Sequence, residues 1–502
     1  MPSRRLTGRS EGWAWRSRIV RHPNWPLGFI SAGPGSEEEA RRSFPPPAQE
    51  RLSAADARML AAESPLVVGH TLKVFVLDAP QDQDTFFTNL RAQIATRLAG
   101  IPRLRQRLLP VPFSLARPVW VEDPDFELAE HVLHTRAPGA IDSAELRRLL
   151  AVRMVAHLDW RRPLWTLEVL GPLTERRIAL ILKLHHSVAD GLGELALAAR
   201  LLWDGESEPT STMSAPGSLP SNRRLLAQAL RDQGSAALAR VRASDALLRS
   251  MTERRRGRDA WHGEVHSIMR ELLPRSSRSP LDARVGPGRR IAFVERDLAE
   301  LKGIAHAAGE GVTVNDVVLA AVAGGIRAWL RARGADVREL RAAVPVALHH
   351  GVRPDVLGNQ VSDVYLALPI AEPDAAQRLR LVSARMWRRK RDHDAEALDD
   401  LMGVAGPAAR ILTALESSPR IFGLAVSNLP GPRDGVTVAG CRVRTLRSVA
   451  EVAEGHALRV AVLSYDGQVS FGLCGDAAAL PDLDILADGL DAAVDELADH
   501  RP

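Results

Sequence analysis

Residues 178–200, IALILKLHHSVADGLGELALAAR, constrain the fold more than any other stretch of the chain. Ile178 to Leu184 is a nearly unbroken apolar run, the length and composition of a buried strand. It ends at two histidines, His185 and His186. Asp190 and Gly191 follow four residues after His186, and an Ala/Leu-rich segment then reads as a packed helix. A titratable imidazole held at a strand end, with a carboxylate within reach, is how a general base is built.

The stretch admits several readings. Successive strand side chains point to opposite faces, so His185 and His186 do not serve one site equally. Asp190 could orient the His186 imidazole, or pair with an arginine and pin the loop. The bland reading is a pair of satisfied core histidines. A metal site is disfavoured, because no HExxH, no paired cysteines and no clear third ligand accompany HHxxxD. Gly191-Leu192-Gly193-Glu194-Leu195-Ala196 has the form GxGxxA, but it begins too far past the strand end for a dinucleotide fingerprint. His349-His350 also follows an apolar run, without an Asp-Gly at the matching spacing, and reads as structural or substrate-facing. The absence of GxSxG and GxxxxGK[ST] lowers the serine-hydrolase and NTP-binding readings.

At 502 residues the chain is long enough for two domains or more. Its 45% hydrophobic and 25% charged composition is that of a soluble globular protein, and no run is long enough to span a bilayer. Cys441 and Cys474 make no disulfide framework, fit a reducing compartment and read as small buried residues. The net charge is +5, yet residues 221–290 alone hold sixteen arginines against seven acidic residues. The basic excess is therefore local. With Trp261 the only aromatic there, nucleic-acid binding is disfavoured.

In chain order, residues 1–50 are basic, Trp-bearing and end in Pro45-Pro46-Pro47, without the apolar core of a secretory signal. They read as a disordered extension outside the fold. LSAADARMLAAES is predicted as a helix opened by Ser53, with Asp56 placed for a capping box. A strand is predicted over 67–77, helices near 83–99 and 142–158, and paired strands over 161–170 and 176–184. Residues 51–204 are thus the N-terminal domain. Residues 205–285 are a Ser/Pro-rich linker with a helical piece from Leu225 to Met251, and 286–502 are the C-terminal domain. The second domain repeats the α/β pattern. Strands are predicted at 290–297, 340–348, 360–368, 421–427, 437–449, 456–464 and 468–474. Helices are predicted at 298–308, from Val314, and at 373–392, 396–415 and 482–498.

Several motifs in order resemble the bacterial wax ester synthase/diacylglycerol acyltransferase family, within the CoA-dependent acyltransferases that share HHxxxDG. They are LSAADARMLAAES, DPDFELAEHV (123–132), RRPLW (161–165) and HHSVADG (185–191), then VGPGRRIAF (285–293) and TVNDVVLAAVAGGIRAWL (313–330). AAVPVAL (342–348), LGNQVSDVYLALP (357–369), SNLPGP (427–432) and LSYDGQVSFGLCGD (463–476) complete the series. The resemblance covers about Leu52 to Asp499. It implies a two-domain α/β, chloramphenicol acetyltransferase-like fold with mixed sheets and an active-site channel between the domains. His186 is then the general base that deprotonates a diacylglycerol or long-chain alcohol for attack on long-chain acyl-CoA, a co-substrate. No other cofactor and no metal are implied. His185 accompanies it in the motif, and Asp190 holds the motif loop. Gly191 is expected to supply a backbone conformation forbidden to other residues. Pro163, Leu164 and Trp165 are expected to shape the substrate site. Asn315 and Asp316 are expected to cap a helix or form a polar wall. After AAVPVAL the chain has Leu348-His349-His350 where the family usually carries a Ser/Arg-type pair; Arg289 and Arg290 are alternative phosphate contacts. The expected location is cytoplasmic, with peripheral attachment to a membrane or lipid droplet. A catalytically silent lipid-binding or droplet-coating member is the alternative function. A peptide-forming condensation domain shares the histidine motif but lacks carrier-protein and adenylation regions here.

Overall fold

A computed structural model describes residues 50–205, 219–234, 276–337, 339–347, 361–391 and 418–499. The expected extension, most of the linker, His349-His350 and the helix expected at 396–415 lie outside them.

The N-terminal half holds strands β1 (Glu50–Arg51), β2 (His70–Asp78), β3 (Gln106–Leu109), β4 (Val119–Glu122), β5 (Val132–Ile141), β6 (Trp165–Leu173) and β7 (Arg177–His185). Its helices are α1 (Ala54–Ala61), α2 (Gln83–Arg97), α3 (Ser143–Val155) and α4 (Gly191–Leu202). The C-terminal half holds β8 (Arg289–Asp297), β9 (Leu340–Ala347), β10 (Val361–Leu368), β11 (Leu424–Pro430), β12 (Thr437–Val438), β13 (Cys441–Ala450), β14 (Leu458–Tyr465) and β15 (Gln468–Asp476). Its helices are α5 (Leu298–Ala307), α6 (Val314–Ala332), α7 (Ala375–Arg391) and α8 (Leu483–Asp499).

Two six-stranded mixed sheets organise most of these elements, ordered β12-β13-β2-β7-β6-β5 and β10-β9-β11-β14-β15-β8, and β1, β4 and β3 form a small third sheet. In the first, β7 runs antiparallel between β2 and β6, so its apolar residues are covered on both faces. Phe75, Leu180 and Leu182 pack toward α2 and α4, while Leu72, Val74 and Ile181 pack toward Leu146, Leu150 and Met154 of α3. In the second sheet, β11 is parallel to β9 and β14, and the remaining pairs are antiparallel. Helices α5 to α8 cover one of its faces. There α6 meets α8 closely: a Cβ on Gly325 would lie 2.9 Å from Leu490 Cα.

Strands β12 and β13 depart from the expected division of the chain. They follow β11 in sequence, yet β13 pairs with β2 over Val443–Ala450 and completes the N-terminal sheet. A strand's partners are set by which faces it can bury, and its place in the sequence does not reveal them. β13 also lies across β15, where Gly472 leaves room for the Ser448 carbonyl. The two halves are joined through this strand, and the histidine loop lies where they meet.

The candidate active site

Strand β7 delivers the histidines, and backbone bonds fix the turn that follows. The His185 N–H donates to Leu164 O at 3.1 Å and the His186 N–H to Gly69 O at 2.8 Å. The two rings then part, as strand geometry predicts.

His185 faces inward and is fully buried. Its Nδ1 lies 3.0 Å from the Ser187 N–H, which donates to it, so Nε2 carries the proton and donates to Glu63 Oε1 at 3.1 Å. Glu63 also accepts from Gly69 N–H and Trp160 Nε1, each at 2.8 Å. Burial would raise the Glu63 pKa, yet the bonds from His185 and Gly69 hold it below its ordinary value. Gly69 is required by close approach, because a Cβ there would lie 2.6 Å from His185 Nε2. These bonds make His185 a buttress for the loop.

His186 faces the junction of the two halves. Its side chain is 19% exposed, and its Nδ1 lies 3.5 Å from Glu194 Oε1. Glu194 is fully buried on α4, and its Oε2 accepts from Lys73 Nζ of β2 at 2.6 Å. Lys73 Nζ also donates to Ser448 Oγ of β13 at 3.0 Å. A chain of polar groups therefore runs His186–Glu194–Lys73–Ser448 through α4, β2 and β13. Burial, with the charges of Arg459 and Lys73, drives the His186 pKa well below the imidazole value. Burial raises the Glu194 pKa against the pull of Lys73. The result is a neutral imidazole with a carboxylate behind one nitrogen.

Asp190 pins the loop by capping α4. Its Oδ1 accepts the Gly193 N–H at 2.8 Å, and its carbonyl accepts the Glu194 N–H at 2.7 Å. Asp190 and Glu194 are four residues apart on one helix, so the cap sets the angle at which Glu194 approaches His186. The expectation for Gly191 needs correcting. It is the first residue of α4 and is not among the left-handed glycines. Space is the requirement instead: a Cβ there would lie 2.8 Å from Leu429 Cδ1 of β11.

The sequence signature of the wax ester synthase/diacylglycerol acyltransferase catalytic domain matches residues 52–318, and that of the family's C-terminal domain matches 357–498. The chain belongs to this family. A Mycobacterium tuberculosis relative named "Probable diacylglycerol O-acyltransferase tgs1" is 31% identical over 459 residues, spanning 89% of this chain and 95% of its own. A second M. tuberculosis relative of like designation is 31% identical over 465 residues, spanning 89% and 96%. Among solved structures, the wax ester synthase/diacylglycerol acyltransferase of Marinobacter aquaeolei VT8 superposes with a TM-score of 0.63 at 23% identity, covering 89% of this chain and 98% of that one. The first condensation domain of the CDA synthetase superposes at 0.55 with 18% identity, covering 90% and 97%. The fold is thus the two-domain α/β fold of these acyltransferases, and the chain is an acyltransferase.

The other residues of the family motifs occupy varied places. Leu164 and Trp165 are 1% and 0% exposed and lie in the N-terminal core. Trp165 Nε1 donates to Leu104 O at 2.7 Å, and its ring stacks on His131 at 4.8 Å. With Pro163, also buried, they brace the end of β7 from the core side. Asp316 forms the capping box of α6 with Thr313, accepting the Thr313 N–H at 2.8 Å. Asn315 Oδ1 accepts from Asn428 Nδ2 at 3.3 Å and ties α6 to the SNLPGP segment. Leu429, the next residue of that segment, is the one against Gly191. Arg289 is fully buried and committed to Glu451 at 2.5 Å and to the carbonyls of Leu66, Gly286 and Gly288. Arg290 pairs with Asp484 on the surface at 3.3 Å. The expected phosphate role of Arg289 is therefore contradicted by its burial. Glu194 and Lys73 were not singled out from the sequence; the signal for Glu194 is an acidic residue in the first turn of an Ala/Leu-rich helix, four residues past the motif aspartate.

Proposed function

We propose that the protein is an acyl-CoA-dependent O-acyltransferase that esterifies diacylglycerol, a long-chain alcohol, or both, with His186 as general base. The observation that carries this reading is the His186 ring, neutral by burial and backed at Nδ1 by Glu194. With the Nδ1–H turned to a carboxylate, Nε2 is the basic nitrogen. The Lys73–Glu194 pair has no net charge, so it favours this tautomer without fixing the ring as imidazolium.

The acceptor hydroxyl gives its proton to Nε2 as its oxygen bonds to the thioester carbonyl carbon. Collapse of the adduct breaks the C–S bond, and the departing thiolate takes the proton back. Ester and CoA thiol leave, and the enzyme is unchanged. The scheme uses no acyl-enzyme, and acyl-CoA serves as co-substrate without a further cofactor. The relatives' names support the substrate classes, and so does the ordered motif series. Residues 51–204 and 286–502 are read as the two domains, joined by 205–285, with β12 and β13 of the second contributed to the sheet of the first.

Attachment to a membrane or droplet surface belongs to the same proposal. Phe113 is 85% exposed beside the partly exposed Leu115, and among the described residues no helix is long and apolar enough to cross a membrane. Flotation with phosphatidylcholine vesicles, with and without a salt wash, checks it.

The deciding assay measures CoA thiol release and ester formation from palmitoyl-CoA with dioleoylglycerol or hexadecanol. Loss of a general base lowers turnover by about 10²- to 10⁴-fold, which is the expectation for His186→Ala. Near-normal ester formation by that variant would overturn the assignment.

A further inference from the structure

A belt of exposed apolar and basic side chains crosses the N-terminal half and ends beside the histidine loop. It starts at the turn after β3, where Phe113 and Ser114 take left-handed backbone angles, with φ of 58° and 52°. Such angles are uncommon for residues other than glycine, and here they hold out a Phe113 ring that is 85% exposed, with Leu115 exposed beside it. An apolar ring kept in water on an unfavourable backbone points to a use outside the fold.

The chain after this turn is stitched to the start of α1. Arg51 Nη1 donates to Arg117 O at 2.8 Å, and the Leu52 N–H donates to Pro118 O at 2.9 Å. Arg58 and the exposed Met59 stand on α1. Arg117 is exposed, and the charges of Arg51 and Arg58 act against its own, opposed only by the pull of Asp56. Arg51 is paired with Asp232 at 2.5 Å, but Arg58 and Arg117 have no ion pair among the described residues. The belt therefore carries crowded positive charge that its own acids leave unanswered.

Beyond α1 the belt reaches the site. Leu66 is 42% exposed in the turn closed by Ser64 and Val67, and Trp160 is 43% exposed. The Trp160 ring meets solvent while its Nε1 donates to Glu63 Oε2 at 2.8 Å. The other oxygen of Glu63 accepts from His185, so one side chain separates the belt from the motif. Arg107 Nη1 of β3 donates to Arg161 O at 2.9 Å, which ties the strand leading to Phe113 to the residue after Trp160.

Apolar tips, a tryptophan with its N–H turned inward and arginines without acids match the layers of a lipid surface with negative headgroups. We infer that this belt, from Phe113 through Arg58 and Arg117 to Trp160, is a docking surface for anionic phospholipid membranes, and that it sets the histidine loop against the lipid. The inference rests on the acyltransferase reading and deepens its attachment to a membrane, because a water-insoluble acceptor then has a short path from lipid to the active centre.

Flotation of the full chain at low salt tests it, with vesicles of phosphatidylcholine alone against an equal mixture of phosphatidylcholine and phosphatidylglycerol. An arginine at an anionic surface strengthens binding roughly fivefold, so Arg58 and Arg117 together predict about 25-fold tighter binding to the mixture. Arg58→Gln and Arg117→Gln should each remove about fivefold of it. Phe113→Asn should weaken binding to both vesicles at least about tenfold. Asparagine suits a left-handed backbone, so an unchanged thermal midpoint is expected for that variant.

Equal binding of the unaltered protein to the two vesicles would overturn the inference and leave attachment itself standing. Binding to the mixture that none of the three variants weakens would also overturn it. So would equally tight binding to polyuridylic acid that ignores Phe113→Asn, which would assign the belt to nucleic acid. Ester formation from detergent-dispersed palmitoyl-CoA and hexadecanol is read separately. Docking without ester would keep the belt and refute the transferase; ester without docking would do the reverse.

Discussion

Glu194 stands 3.5 Å from His186 Nδ1, longer than a settled N–H···O bond, a separation common in catalytic pairs before substrate tightens them. Its role is to choose which ring nitrogen bears the proton and to stabilise the imidazolium that forms in turnover. Glu194→Gln keeps the shape and removes the charge. A hydrogen bond to a charged group contributes about 1.5–3 kcal/mol, so kcat should fall by roughly 10- to 100-fold. An unchanged kcat would show that the carboxylate is only packing. The same cluster sets the pH response. Only the neutral imidazole accepts a proton, and burial with Arg459 and Lys73 moves its pKa well below 6.5. The neutral fraction is therefore already complete near neutrality. A plot of kcat/KM should be flat from about pH 6.5 to about pH 8 and decline only on the acid side. An acid limb centred at or above the ordinary imidazole value would contradict the burial of the ring.

Strand β13 does two jobs at the scale of elements. It pairs with β2 and so places Ser448 opposite Lys73, and it crosses β15 at Gly472. A Cβ on Gly472 would lie 2.0 Å from the Ser448 carbonyl oxygen. Neither group is a flexible side-chain end, so Gly472→Ala forces the sheets apart and should cost at least about 1–3 kcal/mol. A urea midpoint equal to that of the unaltered protein would show that the crossing can relax. This element also marks what the sequence revealed and what it hid. The apolar run of β7, the Ser53–Asp56 cap of α1 and the strand-like run at 456–464 that became β14 are local patterns, and they were legible. HHSVADG was legible because chain order and chemistry coincide within seven residues. The Glu194–Lys73 contact joins residues 121 apart, and Lys73–Ser448 joins residues 375 apart. No periodicity encodes such pairings. Arg289 was misread for the same reason: its partner Glu451 comes from 162 residues away. Gly191 was misread because steric room supplied by a neighbour leaves no mark in the sequence around it.

For the molecule as a whole, the sheet order makes the halves interdependent. Cut at residue 204, the N-terminal half would keep β2 as an edge strand nine residues long and buried over most of its length. Exposed edges of that kind pair with other chains. Residues 50–204 expressed alone should therefore be aggregated or only partly ordered, and co-expression with 219–502 should rescue solubility. A monomeric fragment with a cooperative thermal transition would contradict this.

The crossing of β13 also governs when activity appears during synthesis. The ribosome completes β7, with His185 at its end, 265 residues before it completes β13 at Ala450. At roughly 5–20 residues per second, that gap lasts about 13–53 s. Throughout it, β2 waits with one side unpaired and Lys73 lacks Ser448. The nascent protein thus holds its histidine motif well before it has a working centre, and that interval is when a chaperone has most to protect.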